Sequence, residues 1–157
     1  MKATLFIFLF WVSSVCAEGF NDNFDTKPLD LEWGSSIQQV KEAYPGGLVW
    51  PSHNNEVEVN YSLSSESKIY WGGIPAKNVI ISFTPENKLS TVYVLFDYVD
   101  HQEVSRRSVE IFGVIDRVQE KDGLRKVAWY SPHGVEKKLF VNSAPHVEYV
   151  YFVAQKK

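Results

Sequence analysis

Asn78-Val79-Ile80-Ile81-Ser82-Phe83-Thr84-Pro85-Glu86-Asn87-Lys88-Leu89-Ser90-Thr91-Val92-Tyr93-Val94-Leu95-Phe96-Asp97 is the stretch on which the fold turns. Residues 78–84 and 90–97 are dense in β-branched and aromatic side chains, which fit a pleated, half-buried surface. Pro85-Glu86-Asn87-Lys88 between them supplies turn chemistry, so the stretch reads as an antiparallel hairpin. Both faces of its second strand are apolar, with Tyr93 and Leu95 opposite Val92, Val94 and Phe96.

Outward from this hairpin the same texture recurs. Val57–Leu63 alternates with period two, and a short run at 68–71 is stopped by Gly72-Gly73. Further along, a weak strand is expected over 114–119, then stronger ones over 125–130, 138–142 and 147–153. Asp122-Gly123, Pro132-His133-Gly134 and Ala144-Pro145 punctuate them. The last strand is again largely apolar on both faces, with Val147, Tyr149, Tyr151 and Val153 against Glu148, Val150 and Phe152.

Two segments change to the helical period. Ile37, Val40, Ala43 and Tyr44 make one stripe. Ser35 or Ser36 is positioned as N-cap with Gln38 or Gln39 three residues on, and Pro45-Gly46-Gly47 ends the run. The second helix has Asp100 as expected cap, Val104, Ser108, Ile111 and Phe112 as inner stripe, and Gly113 as stop. The expected fold is therefore α+β, an antiparallel sheet packed by two helices. Residues 33–157 form either one domain or a tandem helix-plus-sheet repeat with halves 35–98 and 100–154.

The N-terminus is of another kind. Met1-Lys2 is followed by an apolar run over 3–12, too short to span a bilayer, and Val15-Cys16-Ala17 fits a small-x-small cleavage site. Residues 1–17 are expected to be a secretory signal peptide, cut after Ala17, which makes the protein periplasmic or secreted. Ser13 and Val15 are poor residues for lipid attachment at Cys16, so that anchor is disfavoured. Residues 18–32 are polar and are expected to form a flexible lead-in.

Composition narrows the chemistry. The 157 residues are 45% hydrophobic and 15% aromatic, with a formal net charge of −3. That is a globular chain with no cationic excess for nucleic acid, and no second apolar stretch is long enough for an integral membrane span. Cys16 is the one cysteine and falls in the leader, so no thiol nucleophile is expected. His53, His101, His133 and His146 make no helix-borne metal pattern; His133 and His146 flank one strand and are the one pair that a sheet end would bring together. No Gly-x-Ser-x-Gly elbow occurs, and Arg106-Arg107 reads as a solvated helix face. No cofactor, no metal and no catalytic group are expected.

Gly34-Ser35-Ser36-Ile37-Gln38-Gln39-Val40-Lys41-Glu42-Ala43-Tyr44 resembles the Gly-x-Thr-x-x-Gln-Val-x-x-x-Leu opening of the small exported bacterial BamE (SmpA) family. Gly34, Ser36, Gln39, Val40 and Tyr44 take the matching positions, with Ser for Thr and Tyr for Leu. The β-lactamase-inhibitor-protein family, two helix-plus-sheet repeats, is similar in the same respect. The resemblance implies a small α+β protein of the cell envelope. The expected function is non-enzymatic binding, inhibiting or docking onto another protein; a structural part in envelope assembly is the alternative, and a small hydrolase is a third. Trp50, Trp71, Tyr93, Trp129, Tyr149 and Tyr151 are the candidate contact residues, because they join large area to a polar handle.

Overall fold

The computed structural model describes Phe24, residues 27–52 and residues 59–157. The expected signal peptide over 1–17, its Cys16, and most of the expected lead-in up to residue 26 lie outside the described residues, as does His53.

The fold is mixed and dominated by strands. Eight strands form one antiparallel sheet. They are β1 (Leu48–Pro51), β2 (Val59–Ser62), β5 (Asn78–Phe83), β6 (Leu89–Phe96), β7 (Arg117–Lys121), β8 (Leu124–Tyr130), β9 (Val135–Asn142) and β10 (Tyr149–Lys156). Their order across the sheet is β1-β2-β5-β6-β10-β9-β8-β7, so β6 and β10 pair at the centre. A second, two-stranded sheet is made by β3 (Tyr70–Trp71) and β4 (Ile74–Pro75) around Gly72-Gly73. The two helices are α1 (Ile37–Ala43) and α2 (His101–Phe112).

The central hairpin is β5–β6, as its β-branched run dictates, with an irregularity at Ser82/Phe83. α1 starts on a full capping box: the Ser36 hydroxyl accepts from the Gln39 N–H, and the Gln39 side chain accepts from the Ser36 N–H. α2 ends at Gly113, which takes φ +76° and returns its N–H to the Val109 carbonyl. Its start differs from expectation. Asp100 occupies the cap position but its side chain makes no capping bond, because a 3-10 turn over Tyr98–Asp100 already leads the chain into the helix.

One face of the sheet carries the core. Val79, Val94, Phe152, Leu139 and Val127 form a continuous row across β5, β6, β10, β9 and β8, and all five are buried. The helices supply only part of its cover. From α1 comes Val40, and from α2 come Val104, Ser108 and Phe112. The centre is filled by Trp71 of the β3–β4 hairpin, whose ring lies 4.4 Å from Phe152 and 5.5 Å from Phe112. Phe24 adds a fourth ring, 5.7 Å from Trp71 and 5.4 Å from Phe152. The expected sheet packed by two helices is thus, as described, a mixed and mostly β fold: the helices bring a few side chains to the core face, beside the β3–β4 hairpin and Phe24.

The described end of the expected lead-in is packed. Phe24, Leu29 and Leu31 are buried, Trp33 Nε1 donates to the Phe24 carbonyl, and the Tyr44 hydroxyl donates to the Leu29 carbonyl. Pro28–Asp30 turns tightly, with Leu29 and Asp30 both at positive φ. β1 is a further element absent from the expected set. It follows Gly47, whose N–H donates to the Tyr61 hydroxyl while that hydroxyl donates to the Tyr44 carbonyl. Only glycine fits there: a Cβ would stand 2.3 Å from the Ser62 carbonyl oxygen.

Candidate functional site: the open face of the sheet

Period two sends the alternate residues of every strand to the other face. One row there runs Ile80, Tyr93, Val153 and Lys138 across β5, β6, β10 and β9. The next runs Asn78, Leu95, Tyr151, Phe140 and Lys126. Neither described helix nor the β3–β4 hairpin packs here; their buried residues belong to the opposite face.

Four of the six candidate contact residues fall on this open face. Tyr93 and Tyr151 stand near its centre, on adjoining strands and rows. Tyr149 lies one step along β10, its ring 5.5 Å from that of Tyr151. Trp50 stands at the β1 edge, in register with Asn60, Ser82 and Thr91. All four are half-buried.

The other two candidates are core residues. Trp71 is 0% exposed at the centre of the aromatic cluster, and Trp129 is 2% exposed. Trp129 packs on Phe112 at 5.4 Å, and its indole N–H donates to the Gly113 carbonyl. Both are spent on packing: Trp71 because the Gly72-Gly73 turn folds its strand over the core, Trp129 because its parity on β8 matches Val127. Neither reaches a partner without unfolding.

Residues not singled out from sequence complete the surface. Phe140 stacks on Tyr151, centroids 4.7 Å apart and planes within 11°. Lys126 sits over Phe140 with Nζ 5.5 Å from the ring centre. The result is a cross-strand ladder, Lys126–Phe140–Tyr151–Leu95, in which each side chain braces the next. Phe140 is visible in principle from sequence, since it is out of phase with the buried Leu139 and Val141.

Electrostatics on this face are lopsided. Glu136 is held by Lys138 at 2.7 Å and Lys157 at 3.0 Å. Its burial opposes ionisation, but the two ammonium groups prevail and lower its pKa below the usual carboxylate value. Burial raises the pKa of the Tyr93 phenol, and that of Tyr151 with added repulsion from Tyr149 and Tyr93, so both remain neutral hydroxyls at neutral pH.

Two clefts adjoin the sheet. A groove of about 690 Å³ opens where the sheet ends between β2 and β6, lined by Ser62, Ser64, Ser67, Lys77, Asn78 and Leu95. A second, of about 480 Å³, lies between the start of α2 and the β7–β8 turn. In it His101 stacks on Tyr98 at 4.6 Å, and Arg125 is paired with Glu120. Neither holds a nucleophile–base pair in hydrogen-bond contact. His133 and His146 lie at opposite ends of β9, which overturns the expectation that a sheet end could join them.

Among the described residues there is no group of three or more His, Cys, Asp or Glu side chains able to hold a metal ion. No described helix is long and apolar enough to cross a membrane. The chain matches no protein-family model, no curated protein and no solved structure.

Proposed function

We propose that the protein is an exported, non-enzymatic binding protein of the cell envelope that inhibits or docks onto another protein, and that the open sheet face is its contact surface. The observation that carries this reading is the gathering of Trp50, Tyr93, Tyr149 and Tyr151 on the one face that no described helix covers. Half-buried tyrosines braced by neighbours lose little freedom on binding, which is the usual make-up of an interface centre. Export is supported by the leader-like residues 1–17, and an envelope setting by the helix opening Gly34–Tyr44.

In the same reading the chain is a tandem of two helix-plus-sheet halves, 35–98 and 100–154. What supports it is the sheet order: β1, β2, β5 and β6 stand together, β10, β9, β8 and β7 stand together, and the last strand of each set pairs at the middle. Joining two small sheets this way makes one face wide enough for a protein partner.

The test compares captures from native envelope and secreted extracts by the wild type and by a Tyr93→Ala/Tyr151→Ala double variant. The expected result is one stoichiometric partner that the double variant loses while keeping its melting temperature. Equal capture by both proteins would refute the assigned face. Co-fractionation with outer membrane, with no soluble partner, would favour a structural part in envelope assembly instead.

A further inference from the structure

We infer that the partner surface recognised by this face is acidic: a folded protein that sets carboxylates against the β7–β9 side of the sheet and apolar side chains against the β5–β6–β10 side. The inference rests on the docking reading above and deepens it.

The chain as a whole is acidic, at −3. Its open face is not. By register this face receives Arg117 and Lys121 from β7, Lys126 from β8 and Lys138 from β9. Among the described strand residues its one carboxylate is Glu136, which is already paired with Lys138 and Lys157. Arg117, Lys121 and Lys126 have no ion-pair partner among the described residues. Strands β1, β2, β5 and β6 add no charged side chain to the face, only groups such as Trp50, Ile80, Tyr93 and Leu95. A surface with an apolar neutral side and a cationic side complements one that is apolar and anionic, and the charged side steers the encounter.

The same geometry favours protein over other anionic partners. Bases bind by stacking on free aromatic faces. Here Phe140 has Lys126 over its ring and Tyr151 stacked against it, so edges rather than faces meet the solvent. A lipid surface takes protruding apolar side chains, whereas Tyr93, Leu95, Phe140 and Tyr151 are all half-buried.

The inference can be tested before the natural partner is identified. A displayed library of a small helical-bundle scaffold, randomised over one face, is selected against the purified protein. Each binder is then measured on Tyr93→Ala/Tyr151→Ala, on Arg117→Glu/Lys126→Glu and on the milder Arg117→Gln/Lys126→Gln. Binders lost on the tyrosine variant are expected to be acidic, and to associate about tenfold more slowly with the charge-reversed variant, with a smaller loss on the Gln pair. Face-directed binders of neutral or basic composition would overturn the inference and leave the docking reading standing. Binders that all ignore the tyrosine variant would overturn the docking reading itself. Oligothymidylate or phosphatidylglycerol vesicles are run as competitors; displacement of the binders by either would also contradict a protein-specific face.

Discussion

Phe152 and Tyr151 are neighbours on one strand, similar in size, and stand on opposite faces of the sheet. Phe152 is fully buried against Trp71, Phe112 and Phe24. Tyr151 is half-buried, stacked on Phe140 and turned to the outside. The two sheet faces differ in what the described residues lay over them: one is closed by helices, hairpin and Phe24, and the other has no described helix or hairpin across it and carries the Lys126–Phe140–Tyr151 contacts. Aromatic content alone therefore does not mark an interface. What decides the role of a ring is the parity of its position on a strand and what the chain lays over that face.

The largest effect that would sharpen this contrast is at Trp71. Trp71→Ala is expected to cost about 3–5 kcal/mol in denaturant unfolding, because four aromatic neighbours lose their common contact. Trp50→Ala, on the open face, is expected to cost less than about 1 kcal/mol. Equal costs would erase the distinction between the faces. Next comes Gly47→Ala, where the new Cβ meets the Ser62 carbonyl and the Tyr61 ring; about 1–3 kcal/mol of overpacking is expected. Tyr61→Phe, which leaves the Gly47 N–H and the Tyr44 carbonyl without their shared hydroxyl, should fall in a similar or lower range by the same assay.

Smaller again is the stability effect of Tyr151→Ala, about 1 kcal/mol or less, although the same change should weaken a bound partner by about thirtyfold if Tyr151 anchors the interface. A melting temperature that collapses with Tyr151 would place it in the core with Phe152. The smallest effect expected is electrostatic and lies away from both faces. On α2, Glu103 bonds Arg106 and Arg107, which lowers its pKa from 4.5 to about 2. A carboxylate with a lowered folded pKa stabilises above its unfolded pKa and loses that contribution as pH falls. A shallow decline in stability between pH 4.5 and about 2, absent in Glu103→Gln, is the expected signature, and it is weakened by salt because the pair is exposed.

The elements legible from sequence are those whose signal is local. The β5–β6 hairpin, the Ser36 capping box and the Gly113 stop each follow from residues within a few positions of one another. What escapes depends on distant contacts. β1 pairs with β2 because Gly47 lets the backbone pass beside Tyr61, a partner fourteen residues away in sequence. Phe24 and Leu29 look like parts of a polar lead-in until the Tyr44 hydroxyl and the Trp71 ring fix them. The placement of the candidate residues is legible in the same proportion. Tyr93, Tyr149 and Tyr151 share a face by parity, and Trp50 joins them through register. Trp71 and Trp129 mislead because nothing in their neighbourhood tells which face the chain will cover.

The central claim is that the open face docks a protein and the opposite face does not. Site-specific photo-crosslinking addresses it most directly, with a photoreactive phenylalanine at Tyr93 or Tyr151 in one set and at Arg106, on the solvent side of α2, in the other. The account requires a discrete adduct of the same mass from both open-face positions and none from Arg106. Adducts from Arg106 alone, or from neither open-face position, would contradict it.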